Sequence, residues 1–384
     1  MRYLMSGESH GLQLTAIIDG VPAGLQLTTA MINHELWARQ QGYGRGERMK
    51  IEHDQVEIVS GVRHGYTLGS PITLVIKNKD HVNWEKTMSV NQIPGHDDEV
   101  KQVPRPGHGD LVGAIKYGHQ DLRNVFERSS ARETAMRVAV GAVAKQILQA
   151  LKIDLGAHVI QIGSVAIETP VLSIAEIRQR CEDSSVRCID QTATAKMCQL
   201  IDAAKAKGDS LGGRIQVIVE NVPAGIGSYV HFDHKLEAKL AAQIMSVQSV
   251  KGVHFGEASF ASTHFGSEVH DEIIHDEAGF TRRTNRYGGF EGGMTNGMPL
   301  VMAALVKPIP TLYQPLASVN MATKAAKKSM VERSDCCVVP AVSVVIEAVV
   351  ATELATAILT MFESDQLSKL IQNVENYRKY VKYF

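Results

Sequence analysis

The sequence predicts a layered domain of strands and helices, α+β or α/β in class, on three observations. Apolar runs rich in β-branched residues alternate with amphipathic helical stretches, no low-complexity linker divides the chain, and one turn-strand unit occurs twice. In chain order, residues 15–18 form the first strand-like run and residues 30–39 the first amphipathic helical stretch. Residues 56–59 and 72–76 read as two more strands. Residues 130–151 read as a helix, opened by Ser130-x-x-Glu133, the pattern of a capping box. Strand then alternates with helix at 159–165, 193–206, 215–219 and 235–245, and 300–306 is the last strand. Residues 338–362 are the longest apolar stretch; Glu347 and Glu353 interrupt it, so it reads as the buried helix of a soluble fold and not as a membrane span.

Charge is almost balanced over the 384 residues, 40 Lys+Arg against 41 Asp+Glu, so any basic site must be local. Nucleic-acid binding is not expected, because aromatic residues are only 5% and the basic clusters are dispersed. The first residues lack a basic segment followed by an apolar run, so no secretory signal and no membrane attachment are expected. Five cysteines, an odd number at irregular spacing, argue against a disulfide framework and for a reducing, cytoplasmic setting.

The pentapeptide GESHG, residues 7–11, satisfies G-x-S-x-G, the nucleophile elbow of serine hydrolases. The repeat gives it another meaning. Residues 7–24 (GESHGLQLTAIIDGVPAG) align without a gap to residues 208–225 (GDSLGGRIQVIVENVPAG), with eight of eighteen positions identical. Ser9 is matched by Ser210, so the serine and glycines are what the turn requires, whereas His10 faces Leu211 and needs a chemical explanation. The chain therefore reads as one domain over 1–384, with two halves related by a pseudo-two-fold and repeat units starting near residues 7 and 208.

Arginine recurs with Gly and Ser in four loop-like places: Arg39 with GYGRGER (Arg45, Arg48), RPGHGD (Arg105), RSSARET (Arg128, Arg132) and RSDCC (Arg333). Such loops let a ligand approach the backbone while guanidinium forks match phosphate and carboxylate oxygens. Arg128 and Arg132 flank the positive end of the helix after Ser130, where a cation is disfavoured unless an anion is present, so Arg132 is expected to bind an anion instead of bracing the fold. His108, between two glycines, joins His10 as a second candidate proton handler. His231, Asp233 and His234 match no standard ligand spacing, and no metal is expected. GGFEGGMTNG is not a dinucleotide fingerprint and opens no helix; its glycines suggest backbone closing on a flat or phosphorylated ligand. The residues alone point to an enzyme acting on a small polyanion.

The ordered set SGESHG, GYGRG, SGVRHGYTLGSPI, RPGHGDL, RSSARETAMRVAVGA, GGFEGGMTNG, KPIPT and RSD closely resembles the chorismate synthase family from Met1 to about Phe362. That resemblance implies an α+β domain built as a layered β-α-β sandwich, two antiparallel sheets around central helices, with internal pseudo-symmetry and assembly as a homotetramer. It implies a lyase that converts 5-enolpyruvylshikimate 3-phosphate to chorismate and phosphate by 1,4-anti elimination with reduced FMN. NADPH, or a separate flavin reductase, would reduce the flavin. Carried over by position, His10 resembles the histidine that protonates the leaving phosphate, and His108 the one beside the flavin. Arg45, Arg48, Arg105, Arg132 and Arg333 would hold substrate. Asp335 would act beside the flavin nitrogen that receives the substrate proton, with Ser9 and Ser130 supporting proton relay. Arg128, Ser129, Ser130, Gln248, Ser249, Gly292, Lys307, Pro308, Ile309, Pro310, Thr311 and Arg333 match FMN contacts, and Arg39 and Arg45 match NADPH positions. Glu47, Gly109 and Ser249 depart from the family pattern, and no motif is recognisable beyond about Ser364.

Overall fold

The computed structural model describes residues 1–46, 53–95, 100–170, 172–277, 279–332 and 334–384. Strand β1 (Arg2–Ser6) pairs antiparallel with β2 (Gln13–Asp19) across the GESHG turn. Helix α1 (Thr29–Gln40) follows; the Thr28 hydroxyl accepts the Met31 N–H, and Ile32 and Leu36 supply a buried face. Next come β3 (Val56–Ser60), a hairpin of β4 (Val62–Arg63) and β5 (Tyr66–Thr67), and β6 (Ile72–Lys77). The first sheet is ordered β1-β2-β6-β3. Helices α2 (Asp110–Tyr117), α3 (Arg123–Ser129) and α4 (Thr134–Ala150) lead out of it.

The second sheet begins with β7 (Asp154–Ile162) and the short β8 (Val165–Ala166), followed by α5 (Ile174–Glu182) and α6 (Gln191–Ala206). The expected strand at 159–165 is thus corrected: the strand starts five residues earlier, and Gly163, at φ 53°, turns the chain before β8. Then β9 (Gly213–Glu220), α7 (Leu236–Met245) and β10 (Val250–Phe255) precede two single-turn helices, α8 (Ala258–Ala261) and α9 (Gly266–Val269). A ribbon of β11 (Ile273–Asp276) and β12 (Gly279–Arg282) and a hairpin of β13 (Phe290–Glu291) and β14 (Met294–Thr295) come before β15 (Leu300–Val306). A last ribbon, β16 (Ala317–Val319) with β17 (Ala326–Lys328), leads to α10 (Val339–Phe362) and α11 (Leu367–Tyr383).

In the second sheet β7-β9-β15-β10 are neighbours in the order that β1-β2-β6-β3 hold in the first, and every pairing is antiparallel. The recurrence reaches single hydrogen bonds. Thr67 Oγ1 donates to Pro22 O at 2.6 Å and accepts Leu25 N at 2.9 Å. Thr295 Oγ1 donates to Pro223 O at 2.7 Å and accepts Ile226 N at 2.9 Å. These threonines close the two Val-Pro-Ala-Gly segments, and they sit in a second stretch of repeated sequence: residues 61–72 (GVRHGYTLGSPI) match 289–300 (GFEGGMTNGMPL). Gly65 and Gly293 turn the two hairpins at φ 80° and 89°, a region open to glycine without strain.

Helix α4 packs on α10 and on β2 of the first sheet, α10 packs on β7 and β9 of the second, and α1 and α7 flank α10. A Cβ added to Gly141 would lie 2.4 Å from Ala348 Cβ, so the two long helices cross at close approach. Helix α10 is apolar all round because it is surrounded by protein; 83% of its most apolar window is buried. Its Glu347 holds Lys145 Nζ at 2.5 Å, and Lys145 also binds Glu35 at 2.6 Å. Burial alone would lower the Lys145 pKa, but the two carboxylates raise it and keep the ammonium charged.

Candidate active site

The GESHG turn joins strand to strand, not strand to helix, and β1 lies at the edge of the sheet; this is not the setting of a nucleophile elbow. Gly7 holds φ 112°, and a Cβ there would fall 2.3 Å from Gln13 O. Asn78, at the exit of β6, clasps the turn by donating to Glu8 O at 3.1 Å and Gly11 O at 2.7 Å. Ser9 is buried; its N–H donates to Glu127 O at 2.9 Å, and its hydroxyl accepts from Ser130 Oγ at 3.3 Å.

His10 is tied to α3. Its backbone N–H donates to Glu127 Oε2 at 2.8 Å, and its ring Nδ1 lies 2.8 Å from Oε1 and 3.1 Å from Oε2 of the same carboxylate. The imidazole rests against Trp84, ring centroids 4.2 Å apart, and His10 O meets His81 Nδ1 at 2.9 Å. Arg123 donates to Glu127 Oε1 at 3.2 Å and spreads over Trp84 and Phe126. Glu127 and Trp84 were missed by sequence reasoning, which singled out His10 but could not see a partner 117 residues away.

A second assembly surrounds His108. Asp110 Oδ1 lies 2.6 Å from His108 Nδ1 and accepts Arg105 Nη2 at 3.0 Å, while Oδ2 accepts Arg105 Nε at 2.8 Å. Burial would raise the Asp110 pKa, but hydrogen bonds from His108 and Arg105 hold it well below the usual carboxylate range. Arg105 also donates to Thr311 Oγ1 at 3.1 Å, and its guanidinium lies over the other side of the same region, 5.2 Å from the Phe126 ring. Lys307 Nζ donates to Gly107 O at 3.1 Å, and Lys307 N to Ser249 O at 2.8 Å. Ser334 Oγ donates to Thr311 O at 3.3 Å. Asp335 accepts Gly46 N at 2.6 Å and pairs with Arg45 Nη1 at 2.8 Å. Thus RPGHGD, KPIPT, the Gln248–Ser249 pair, RSD and GYGRG touch one another in sequence.

Three expectations change. Ser130 accepts the Arg132 N–H at 3.2 Å, and Glu133 turns away to Gln248 Nε2 at 2.7 Å and Arg137 Nε at 3.2 Å. The capping box therefore does not form; a 3-10 turn at Ala131–Glu133 precedes α4 instead. Arg132 is buried, donating to Asn78 Oδ1 at 2.9 Å and pairing with Asp54 at 2.7 Å, so the anion expected beside it is supplied by the chain itself. Arg39 is buried as well, donating to Thr134 Oγ1 at 2.9 Å and Ala131 O at 3.1 Å and facing Asp54 at 3.7 Å, so it ties α1 to the 3-10 turn before α4. Glu47, Arg48 and Arg333 lie outside the described residues.

Two buried polar atoms near the 3-10 turn, Ser129 Oγ and Gln248 Oε1, find no hydrogen-bond partner among the described residues. Arg128 is exposed, donating to Gly7 O at 3.1 Å and Met5 O at 3.3 Å. One cation, one unspent hydroxyl and one unspent amide oxygen suit an anionic ligand with both donors and acceptors. Gly292 forms the β13–β14 turn, where a Cβ would meet Met294 and Tyr229. A cleft of about 790 Å³ at Val165–Pro170, Asp190 and Lys196 includes none of these residues.

Residues 1–359 match the family model described as chorismate synthase. The chain is 58% identical to a chorismate synthase from Geobacillus sp. (strain WCH70) and 57% identical to one from Geobacillus kaustophilus (strain HTA426), each over 100% of both chains. It is 56% identical, over the same full lengths, to a protein named chorismate synthase 2 from Bacillus anthracis. A crystal structure of chorismate synthase superposes with a TM-score of 0.81 at 39% identity, covering 100% of this chain and 98% of that one.

Proposed function

The chain belongs to the chorismate synthase family, the lyases that make chorismate in the shikimate pathway, and we propose that it does so by 1,4-anti elimination of phosphate from 5-enolpyruvylshikimate 3-phosphate with reduced FMN. When bound, reduced flavin lends electron density to the allylic system and recovers it, which no side chain can do. His10 gives a proton to the departing phosphate. Arg45, Arg48, Arg105 and Arg333 hold phosphate and carboxylates. Arg132 serves at one remove, through Asn78 and the turn that carries His10. His108 stands beside the flavin with Asp110 and Arg105 fixing its ring, and Asp335 lies with Arg45 where the substrate proton leaves. Arg128, Ser129, Ser130, Gln248, Ser249, Gly292 and Lys307–Thr311 hold the flavin. Arg39, near the end of α1, acts through the start of α4 that it holds.

The observation that supports this reading best is the chain of contacts linking the His108, KPIPT, RSD and GYGRG motifs, because it gathers cations and proton carriers from distant parts of the sequence. The same reading takes the two halves as a pseudo-two-fold β-α-β sandwich, four chains as the working assembly and the cytoplasm as its place. NADPH or a separate reductase would keep the flavin reduced. The test is an anaerobic assay with photoreduced FMN and 5-enolpyruvylshikimate 3-phosphate, following chorismate and phosphate together. Many chorismates should form per flavin; oxidation of one flavin per turnover would overturn the non-redox elimination.

A further inference from the structure

We infer that Glu127 is the positioning residue for His10, keeping its Nδ1 protonated so that every proton His10 gives or takes passes through Nε2. The inference rests on His10 being the proton donor. An ionised carboxylate only accepts hydrogen bonds, so the contact at 2.8 Å requires hydrogen on Nδ1. The neutral ring then offers a lone pair at Nε2, and the charged ring offers N–H there. Both carboxylate oxygens are engaged, one by the backbone N–H and one by the ring. This pins the residue by main chain and side chain together. Burial would raise the Glu127 pKa, but hydrogen bonds and charge from His10, then Arg123, hold it below the ordinary range. Besides Glu127 and Arg123 on α3, the groups around His10 are Arg128, also on α3 and bound to Gly7 O, His81, Asp80 and Trp84 from the 79–84 segment, and Glu8 on its own turn.

Trp84 makes the idea measurable without the reaction. The chain has two tryptophans, and the other, Trp37, is exposed on α1. In a Trp37→Phe background, Trp84 emission is titrated with pH in ligand-free protein, and the reporter is the part of the transition that His10→Leu removes. Glu127→Gln takes away the negative charge beside the ring, so the midpoint should fall. Gln also has one acceptor oxygen for three donors, the His10 N–H, its ring N–H and Arg123, so turnover should drop about 10- to 100-fold, mostly in kcat, less than when the imidazole itself is lost. Should Glu127→Gln fail to fold, Glu127→Asp keeps the charge but withdraws it, and a smaller downward shift is expected. No His10-dependent part of the transition, or an unmoved midpoint in the folded variant, overturns the inference. A shifted midpoint in a protein that makes no chorismate would sink the lyase reading and leave the positioning intact.

Discussion

The GESHG and GDSLG turns share a framework and differ in chemistry. Each follows a positive-φ glycine, buries its serine, enters a strand and ends in a Val-Pro-Ala-Gly segment closed by a threonine. Each is also closed by the chain leaving the third strand of its sheet. In the first half Asn78 donates to the turn carbonyls; in the second Ser210 Oγ donates to Ile309 O at 2.7 Å. At the variable position the two part company. His10 is gripped by Glu127, whereas Leu211 packs partly against the core and gives its N–H to Cys336 O at 3.0 Å, steadying the segment that carries Asp335. The recurring turn thus serves twice, once to seat a histidine on a buried carboxylate and once to steady the loop that carries Asp335.

The largest expected effect tests that asymmetry. His10→Leu copies a residue the second half already carries, and Glu127 keeps its bonds to residue 10 N–H and to Arg123. Folding should survive while turnover falls roughly 10²- to 10⁴-fold, chiefly in kcat. Leu211→His should show no gain of activity and should lose about 1 kcal/mol of stability, read from urea midpoints, because a polar ring replaces an apolar contact. Equal effects of the two substitutions on turnover would erase the distinction between the turns.

Next in size is Arg132→Ala, which acts on the clasp of the first turn alone. Among the described residues it leaves the buried Asp54 with only the longer pair to Arg39 Nη1 at 3.7 Å and frees Asn78, so ligand-free protein should lose about 3 kcal/mol. Adding Asp54→Ala should not restore it, since the buried Arg39, whose Nη1 lies 3.7 Å from Asp54, then loses its carboxylate as well. Unchanged stability in Arg132→Ala would restore the external anion that the helix dipole suggested.

How far these features could be read in the sequence depends on the reach of each interaction. Helix 338–362 and strand 300–306 were plain because periodicity and burial act locally, and residues 339–362 and 300–306 form those elements. The repeat at 7–24 and 208–225 was legible as identity, and it isolated His10. Its companion at 61–72 and 289–300 was passed over, because only glycines, a threonine and a proline persist there. Ser130-x-x-Glu133 failed as a capping box for a long-range reason: Gln248 captures the glutamate from another element. The dipole argument for Arg132 failed likewise, since Asp54 is 78 residues away. Glu127, Asn78 and Asp54 are ordinary residues in ordinary local sequence; only the fold makes them partners.

The smallest expected effects separate the two serines and decide the fate of the elbow. Ser210→Ala removes a donor to Ile309 O, so it should cost about 1 kcal/mol of stability through the KPIPT loop and change turnover little. Ser9→Ala removes an acceptor for Ser130 at 3.3 Å, a long and weak bond, so its stability loss should be no larger. Its effect on turnover should be roughly tenfold, well short of His10→Leu, because in the proposed mechanism the seryl oxygen only supports proton relay while the imidazole carries the proton. A nucleophile at Ser9 would reverse that order. It would also make the serine reactive towards a fluorophosphonate, although Ser9 is only 4% exposed. Turnover measured side by side for Ser9→Ala, Ser210→Ala and His10→Leu gives the ranking. A dead Ser9→Ala enzyme beside an active His10→Leu enzyme would mean that the first turn is an elbow after all, and that its likeness to the second is only a likeness of backbone.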